Sequence, residues 1–413
     1  MKSLGLVSKV MRALKNGSLA AKVRTYLWYY CGGACVVGAI SRMSAVRPGK
    51  IVFYNMRGGP FGDHQKYITL ELLRRGAPVE IVWLARDCGG FAESAPRGVR
   101  VVRYDSFAAL RELATASVWC VNQSQNFFIF RGLRKRSGQV YIQTYHGSLG
   151  IKRIGADRAG DGTVRMWEDV LRRDAEMIDY LVADSEWEAG CVYSTRFFGH
   201  GKCLLFGHPR NDVFFRDGSA TRAKVREAFG FSPDDRILFY APTHRTDRRT
   251  DVILRGFSSL VAEAGRRFDG RWRIVVRLHP NMLSYVHDLD FGADAVDATQ
   301  YPDMQELLVA ADALVSDYSS CMFDFMLTRR PVFVYAPDLE EYQRVQGFYY
   351  PMSETPFPVA KTEAELAENI KAFDEDKYRA GVEAFLKGKG CVEDGHATER
   401  VCDLIEKAIN ATM

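Results

Sequence analysis

Four apolar segments of the chain each end in a short run of polar side chains that could hold an anion. The runs are His146-Gly147-Ser148, Thr243-His244-Arg245, Arg277-Leu278-His279 and Asp317-Tyr318-Ser319-Ser320. Cations and neutral hydrogen-bond donors dominate them, and these groups suit a phosphate or a diphosphate. Imidazole also exchanges a proton near neutral pH. The pattern therefore predicts an anion-binding site with acid–base chemistry.

The segments that precede these runs are continuous apolar stretches, which is typical of parallel strands buried on both faces. Strands are predicted at 51–55, 79–85, 99–104, 117–122, 140–145, 180–184, 202–207, 236–242, 272–280, 311–317 and 331–337. Helical stretches lie between them. In sheets of this kind, ligands bind at the carboxyl ends of the strands. The four polar runs therefore belong to the ligand-facing edge.

The chain has 413 residues, more than a single hydrophobic core usually supports. The alternation of strands and helices predicts an α/β protein with two Rossmann-like, doubly wound domains that face a cleft. We predict an N-terminal helical arm at 1–48, an N-terminal domain at 49–207 and a C-terminal domain at 208–413. The C-terminal domain is expected to bind a nucleotide.

Each polar run has an ordinary explanation when it is taken alone. A histidine at a strand end is more often structural than catalytic, and Ser319-Ser320 could simply cap a helix. The placement of all four runs at strand ends favours a binding site, because chance would scatter them. The sequence contains no P-loop, no dinucleotide-binding fingerprint and no ligand pattern for a metal. The nine cysteines are scattered, which favours a reducing compartment over a disulfide framework.

The charge distribution is uneven. The net charge is +5, but no acidic residue precedes Asp63, whereas ten basic residues do. The remainder of the chain is mildly acidic, which argues against a nucleic-acid-binding protein, since such a protein carries its charge over a binding face.

The basic arm also has an amphipathic pattern. Between residues 4 and 14 the apolar side chains fall on one side of a helix and the basic side chains on the other. An uncharged, aromatic-rich run follows at 25–40, which is short for a membrane-spanning helix. The two features predict peripheral attachment to an anionic membrane surface. The alternative is a helix that packs on the protein's own core.

The polar runs and the residues around them resemble motifs of the CDP-glycerol glycerophosphotransferase family, whose members have a GT-B-like fold and build teichoic acids. The matching segments are Tyr145-His146-Gly147, Lys152-Arg153-Ile154-Gly155, Gly207-His208-Pro209-Arg210-Asn211-Asp212, 240–245, 277–280 and 316–320. They occur in the family's order over about residues 140–350. Tyr145 stands where the family usually has Trp, and Ser148-Leu149-Gly150 replaces a common Thr-Pro-Leu, which leaves the acceptor open.

The resemblance implies a phosphotransfer in which an acceptor hydroxyl attacks CDP-glycerol and CMP leaves. By the family pattern His146 is the general base, and His279 is the second catalytic residue. The implied donor-binding residues are Thr243, Arg245, Arg277, Asp317, Ser319 and Ser320, although Asp317 could instead orient His279 or the loop. The implied acceptor-side residues are Gly147, Lys152 and Arg153. No cofactor and no metal are expected.

The resemblance further implies an acceptor linked to a polyprenyl diphosphate, or a growing polymer, at the cytoplasmic face of the cell membrane. Alternatives remain open at this stage. The donor could be CDP-ribitol or a nucleotide sugar, and the chain could be a non-catalytic, membrane-associated binding protein on the same fold.

Overall fold

A computed structural model of the chain describes residues 33–154, 165–245, 252–279, 282, 291 and 294–411. The amphipathic segment at 4–14 and the first part of the apolar run at 25–40 lie outside these residues. So do Gly155 and Pro280, the last residues of two of the family-like motifs.

The first unit is built on a seven-stranded parallel sheet with the strand order β3-β2-β1-β4-β5-β6-β7. Its strands are Arg47–Tyr54 (β1), Glu80–Ala85 (β2), Val99–Arg103 (β3), Ala116–Val121 (β4), Val140–Gln143 (β5), Tyr180–Ala183 (β6) and Lys202–Leu205 (β7). The order reverses between β1 and β4, which marks the point where doubly wound sheets bind ligands.

The second unit has a six-stranded parallel sheet with the order β10-β9-β8-β11-β12-β13. Its strands are Arg236–Tyr240 (β8), Trp272–Val276 (β9), Ala295–Asp297 (β10), Ala313–Ser316 (β11), Val332–Tyr335 (β12) and Val359–Ala360 (β13). Here the order reverses between β8 and β11. The polar runs at Thr243 and Asp317 follow these two strands directly.

Helices connect the strands of both sheets. They are Gly33–Met43 (α1), Asp63–Arg74 (α2), Cys88–Ser94 (α3), Phe107–Thr115 (α4), Asn126–Ile129 (α5), Arg165–Ala175 (α6), Ser194–Arg196 (α7), Ser219–Ala228 (α8), Phe257–Phe268 (α9), Met304–Ala310 (α10), Cys321–Met326 (α11), Leu339–Gln346 (α12), Glu363–Lys371 (α13), Glu375–Gly388 (α14) and Ala397–Asn410 (α15). A π-helical turn covers Glu188–Tyr193, and 3₁₀ turns cover Pro209–Phe215 and Met352–Glu354.

The predicted fold class is confirmed. All eleven predicted strands exist within a few residues of their predicted positions. Two short strands were not predicted, β10 and β13, which have three and two residues. Strands of this length carry too few side chains to show a pattern.

The first sheet is buried on both faces. Along β1, Val52 and Tyr54 belong to one hydrophobic cluster, whereas Ile51 and Phe53 belong to another. Successive side chains of a strand point to opposite faces, so the alternation places one cluster on each side of the sheet. This is why the strand reads as an unbroken apolar run.

The last helix, α15, returns to the first unit. Its residues Val401 and Ile405 pack in the cluster that contains Ile51. The carboxylate of Asp212 accepts hydrogen bonds from the backbone N–H groups of Ala397 (3.0 Å) and Thr398 (2.7 Å) and so caps this helix. The predicted domain boundaries remain predictions, but the chain crosses between the units at the 3₁₀ turn and again before α15.

Part of the predicted arm packs on the protein. Helix α1 covers the second half of the apolar run, and its Val37 is 4% exposed and belongs to a core cluster of the first unit. Among the described residues, no helix is long and apolar enough to cross a bilayer.

Candidate active site

The turn that carries His146 directly follows β5 and has an unusual backbone. Tyr145 adopts a left-handed conformation with φ of +54°, which is costly for a residue with a large side chain. Its backbone N–H donates to Oε1 of Gln143 at 2.9 Å. The turn therefore leaves the strand abruptly and places His146 at the carboxyl edge of the sheet.

One hydrogen bond determines the protonation pattern of the His146 ring. Its Nδ1 lies 2.9 Å from the backbone carbonyl oxygen of Asn122. Because a carbonyl can only accept, Nδ1 carries the proton, and Nε2 holds the lone pair of the neutral ring. Burial lowers the pKa of His146 below its usual value. The imidazole is therefore neutral at pH 7, as a general base requires.

Arg210 stabilises the turn that carries His146 through hydrogen bonds to its backbone. It is 4% exposed, and it donates to the backbone carbonyls of His146 (3.0 Å) and Gly147 (2.9 Å). Its Nε lies 3.0 Å from a carboxylate oxygen of Asp324 on α11. One buried guanidinium thus connects the turn of the first unit to a helix of the second.

Asp63 and Asn122 complete this group. Asp63 accepts from Arg210 at 3.2 Å and from the side-chain amide of Asn122 at 2.7 Å. Arg210 appeared in the family-like motifs without a role, and no role was predicted for Asp63, Asn122 or Asp324. Their sequence positions gave a usable hint, because Asn122 ends a predicted strand and so lies at the ligand-facing edge.

In the second unit, Asp317, which follows β11, orients the loop that follows the neighbouring strand β8. Its carboxylate accepts the backbone N–H of Thr243 at 2.9 Å and the Arg245 guanidinium at 2.9 Å. Both oxygens are therefore engaged with the loop backbone and its arginine. This geometry fits the alternative that Asp317 orients the loop.

Arg245 is enclosed by its partners. It donates to Asp338 at 2.7 Å and 3.0 Å, and its guanidinium lies over the rings of Tyr318 and Tyr342. Burial opposes its charge, but the two carboxylates outweigh this and raise the pKa of Arg245. Its described contacts are within the protein, and its predicted contact with the donor remains a prediction.

The predicted site residues that follow β8 and β9 divide between two locations. Thr243, Arg245 and Asp317, which were predicted to bind the donor, line one pocket together with His279, which was predicted to be catalytic, and with His244. The rings of His244 and His279 lie 5.1 Å apart. Burial lowers the pKa of His279, and the charges of His244 and Lys152 lower it further. Arg277 does not line this pocket. Burial lowers the pKa of the Arg277 guanidinium, and the negative charge of Asp303 opposes this shift.

Two polar atoms of these residues are buried without a hydrogen-bond partner in the described structure. They are the hydroxyl of Thr243 and Nη1 of Arg277. Buried polar groups are rarely left unpaired, so both atoms are suited to receive an oxygen of a bound ligand.

The capping role considered for Ser319-Ser320 is seen only in part. Helix α11 begins at Cys321, and its N-cap residue Ser320 makes no capping hydrogen bond with its side chain. Ser319 Oγ accepts only a long bond, 3.4 Å, from the backbone N–H of Cys321. The Ser320 hydroxyl is thus not committed to the start of the helix, whereas the Ser319 hydroxyl is engaged there.

The loop after His146 crosses to the second unit. The backbone of Arg153 donates to the carbonyl of Gly347 at 3.0 Å, and its side chain donates to the carbonyl of Phe348 at 3.0 Å. The backbones of Lys152 and Phe348 form an isolated antiparallel β-bridge. Burial lowers the pKa of Lys152, while the charge of Asp317 opposes this. Lys152 therefore lies on the side of the second unit, and its acceptor-side role stays a prediction.

In the described part of the chain, potential metal ligands converge at one place outside this pocket. Asp184, Glu188 and His208 lie behind the His146 turn, with the hydroxyl of Ser148 donating to Asp184 at 2.6 Å.

A family model described as CDP-Glycerol:Poly(glycerophosphate) glycerophosphotransferase matches residues 37–407. The chain is 27% identical over 384 residues to a teichoic acid poly(glycerol phosphate) polymerase of Staphylococcus epidermidis. This alignment covers 88% of the present chain and 51% of the polymerase. The present chain thus spans about half the length of that polymerase.

Two further relatives match over nearly their whole length. A teichoic acid glycerol-phosphate transferase of Staphylococcus aureus is 28% identical, over 86% of this chain and 92% of the relative. A teichoic acid ribitol-phosphate primase of Bacillus spizizenii is 25% identical, over 90% and 94%. A solved structure of the wall teichoic acid polymerase TagF, in a variant soaked with CDPG, superimposes with a TM-score of 0.78 at 25% identity and covers 99% of both chains.

Proposed function

The chain belongs to the CDP-glycerol:poly(glycerophosphate) glycerophosphotransferase family, and from that premise we propose that it transfers glycerol phosphate from CDP-glycerol to a hydroxyl group of a membrane-lipid-linked acceptor. CMP is the second product. The reaction belongs to the synthesis of a teichoic-acid-like polymer of the cell envelope.

The state of His146 carries this proposal. The ring is neutral at pH 7, its Nδ1 proton is held by the carbonyl of Asn122, and its Nε2 is the basic atom. A transfer to a hydroxyl needs a base of this kind, and such a base contributes about 10²–10⁴-fold to the rate.

The proposed step is a displacement at the β-phosphorus of CDP-glycerol. The acceptor oxygen forms a bond to this phosphorus while its proton moves to Nε2 of His146. The bond between the β-phosphorus and the bridging oxygen breaks, and CMP leaves with the bonding electrons. Positioning and charge stabilisation account for most of the catalysis in such transfers.

The second unit supplies the donor side in this proposal. Thr243 and Arg277 offer buried polar atoms without a hydrogen-bond partner among the described residues, and Ser320 offers a hydroxyl that does not cap α11. We also assign Ser319 to the donor side, where its hydroxyl lies beside the backbone N–H of Cys321. Lys152 adds a positive charge near Asp317 and His279. These groups suit the diphosphate, and the removal of one such donor typically raises the barrier by about 2.7–4 kcal/mol.

A CMP-release assay tests the proposal. The purified chain is incubated with CDP-glycerol and a polyprenyl-diphosphate-linked acceptor, and we expect CMP only when the acceptor is present. His146→Gln should lower kcat by about 10²–10⁴-fold with little change in donor affinity. His396→Gln, which changes an exposed histidine, is the matched control and should keep full activity. A wild-type chain that binds the donor but releases no CMP would make it a binding protein.

The donor alditol is the second point to test, because the ribitol-phosphate primase matches over nearly the whole chain. The same assay with CDP-ribitol and with nucleotide sugars decides between the donors. We expect the highest kcat/KM with CDP-glycerol, since the glycerol-phosphate transferase is the more similar of the two nearly full-length relatives.

We place the enzyme at the cytoplasmic face of the membrane, as a peripheral protein. A polyprenyl-linked acceptor is anchored in the bilayer, and the six basic residues within 1–32 would attract anionic lipids by about 1 kcal/mol each.

A further inference from the structure

Three ionisable side chains converge in the interior of the first unit, outside the proposed reaction pocket. Asp184 follows β6, Glu188 opens the π-helical turn, and His208 follows β7. Their exposed fractions are 1%, 0% and 0%. One potential ligand atom from each residue lies within 4.8 Å of the others.

Several polar atoms of this cluster have no hydrogen-bond partner among the described residues. They are both ring nitrogens of His208 and Oε1 of Glu188, whereas Oε2 of Glu188 accepts the backbone N–H of Asp184 at 3.0 Å. His208 Nε2 lies 3.2 Å from a Glu188 oxygen, and Nδ1 lies 3.7 Å from an Asp184 oxygen. A fully buried imidazole with two unpaired nitrogens is unusual, and here it is aimed at two carboxyl groups.

In the described part of the chain, the ion pairs of this cluster's carboxyl groups involve only His208. Glu393 adds a third carboxyl group, whose Oε2 is buried and unpaired and whose Oε1 accepts from the backbone of His208 at 3.1 Å. Among the described residues, no lysine or arginine forms an ion pair with these three carboxyl groups. The nearby Arg210 is engaged with Asp63 and Asp324.

This arrangement is expensive unless something offsets the negative charge. Asp184 and Glu188 are both excluded from solvent. Buried carboxylates are normally paired with a cation or coordinate a metal ion.

We propose that Asp184, Glu188 and His208 bind a divalent transition-metal ion of the zinc type. Imidazole nitrogen and carboxylate oxygen are both ligands of Zn²⁺, and an imidazole ligand disfavours Mg²⁺ and Ca²⁺, which prefer oxygen. A tetrahedral zinc ion with bonds of about 2.0–2.2 Å needs ligand atoms about 3.4 Å apart. The most widely separated ligand atoms, which lie within 4.8 Å of one another, would thus need to approach by up to about 1.4 Å.

Neighbouring hydroxyls hold the carboxylates as outer partners of a metal site do. Ser185 Oγ donates to Asp184 at 2.8 Å and accepts the backbone N–H of Glu188 at 3.0 Å. Ser148, two residues after His146, donates to Asp184 at 2.6 Å. The ion would thus fix the loop that carries His146, and because the site is closed to solvent, its role is structural.

The sequence predicted no metal site because the ligands come from two different strand ends and a helical turn, 24 positions apart at the widest. Metal motifs that can be read from sequence have short, regular spacings.

The test measures metal content and thermal stability in the full chain, purified without a polyhistidine tag. We expect stoichiometric zinc after dialysis against metal-free buffer, and an X-ray absorption spectrum with one imidazole and oxygen ligands but no sulfur. Removal of the ion by a chelator should lower Tm, and added ZnCl₂ should restore it. A metal-free protein whose Tm does not respond to ZnCl₂, MnCl₂ or a chelator overturns the proposal, as does a sulfur-rich spectrum.

Variants separate a metal site from a cluster that only shares protons. Glu188→Gln and Asp184→Asn keep the side-chain shape, and with a bound ion they should lose the metal and lower Tm. If no ion is bound, removal of a buried charge should leave Tm unchanged or raise it. That outcome would contradict the proposal. Ser185→Ala should weaken zinc affinity about 10–100-fold. His396→Gln is the control and should retain the metal.

Discussion

At the residue scale, the carbonyl oxygen of Asn122 determines which nitrogen of His146 can act as the base. A histidine that follows a strand has two possible tautomers, and the 2.9 Å contact at Nδ1 selects one of them. The buried position then keeps the ring neutral. The hydrogen bond and burial thus prepare a single basic atom before any substrate binds.

The pKa of His146 predicts the acid side of the pH profile. Burial lowers this pKa below 6.5, so the neutral base persists as the pH falls through 6.5 and activity is lost only at the lower, shifted pKa. We expect the acid limb of kcat/KM, measured by CMP release, to have its midpoint below pH 6.5. A midpoint above that value would show that a different group is the base.

At the element scale, Arg210 joins three elements that the sequence separates widely. It contacts the turn after β5, the start of α2 through Asp63, and α11 through Asp324. This connection sets the distance between the base and the helix that follows Ser319 and Ser320. Arg210 is therefore a positioning residue and not a catalytic one.

Replacement of Arg210 should affect both stability and the base. Arg210→Met leaves Asp324 buried without its partner, and loss of one member of a buried pair typically costs about 3–5 kcal/mol of unfolding free energy, measurable by urea denaturation. The positive charge of Arg210 also lowers the pKa of His146, so the acid limb of the pH profile should move to higher pH.

Arg210→Lys is the matched variant for this prediction. It keeps the charge, and so the acid limb should stay in place, but it loses the planar fork that donates to the two carbonyls. A lower kcat is then expected without a shift of the limb. An Arg210→Met profile that coincides with the wild type would exclude an influence of Arg210 on the base.

The elements themselves were largely predictable from sequence, whereas the contacts between them were not. Every long strand showed its apolar run, because parallel strands buried on both faces need apolar side chains throughout. Asn122 acts through its backbone carbonyl, which leaves no trace in residue type. The capping role expected of Ser320 was wrong, because a helix start favours serine without requiring its side chain.

At the scale of the whole molecule, side chains on α2 and α10 connect the two units. The ammonium group of Lys66 pairs with Asp303, which is almost fully buried, and with Glu306 at 2.8 Å. Tyr67 also donates to Asp303 at 3.1 Å. Together with the contacts of the Arg153 loop and of Arg210, these contacts hold the units together.

Removal of the Lys66 ammonium should weaken this connection. Lys66→Met leaves Asp303 with one donor fewer in a buried position, and we expect a loss of about 1–3 kcal/mol in the free energy of unfolding. Lys224→Met is the control, since Lys224 pairs with the same Glu306 from an exposed position, and exposed pairs are typically worth about 0–1 kcal/mol. Equal effects of the two variants would show that Lys66 makes only a surface contact.

The membrane role of the arm is tested by a deletion that spares the packed helix. Because Val37 lies in the core, the deletion should stop at residue 32, so that the fold is retained. It removes six basic residues, each worth about 1 kcal/mol at an anionic surface. We expect the full chain to pellet with vesicles that contain anionic lipid and the shortened chain to stay in solution.

A variant with these six residues changed to glutamine should behave like the deletion, since both lose the same charge. High salt should release the full chain, because surface electrostatics are screened over a few ångströms at such concentrations. Undiminished pelleting of the shortened chain would assign membrane attachment to another part of the molecule.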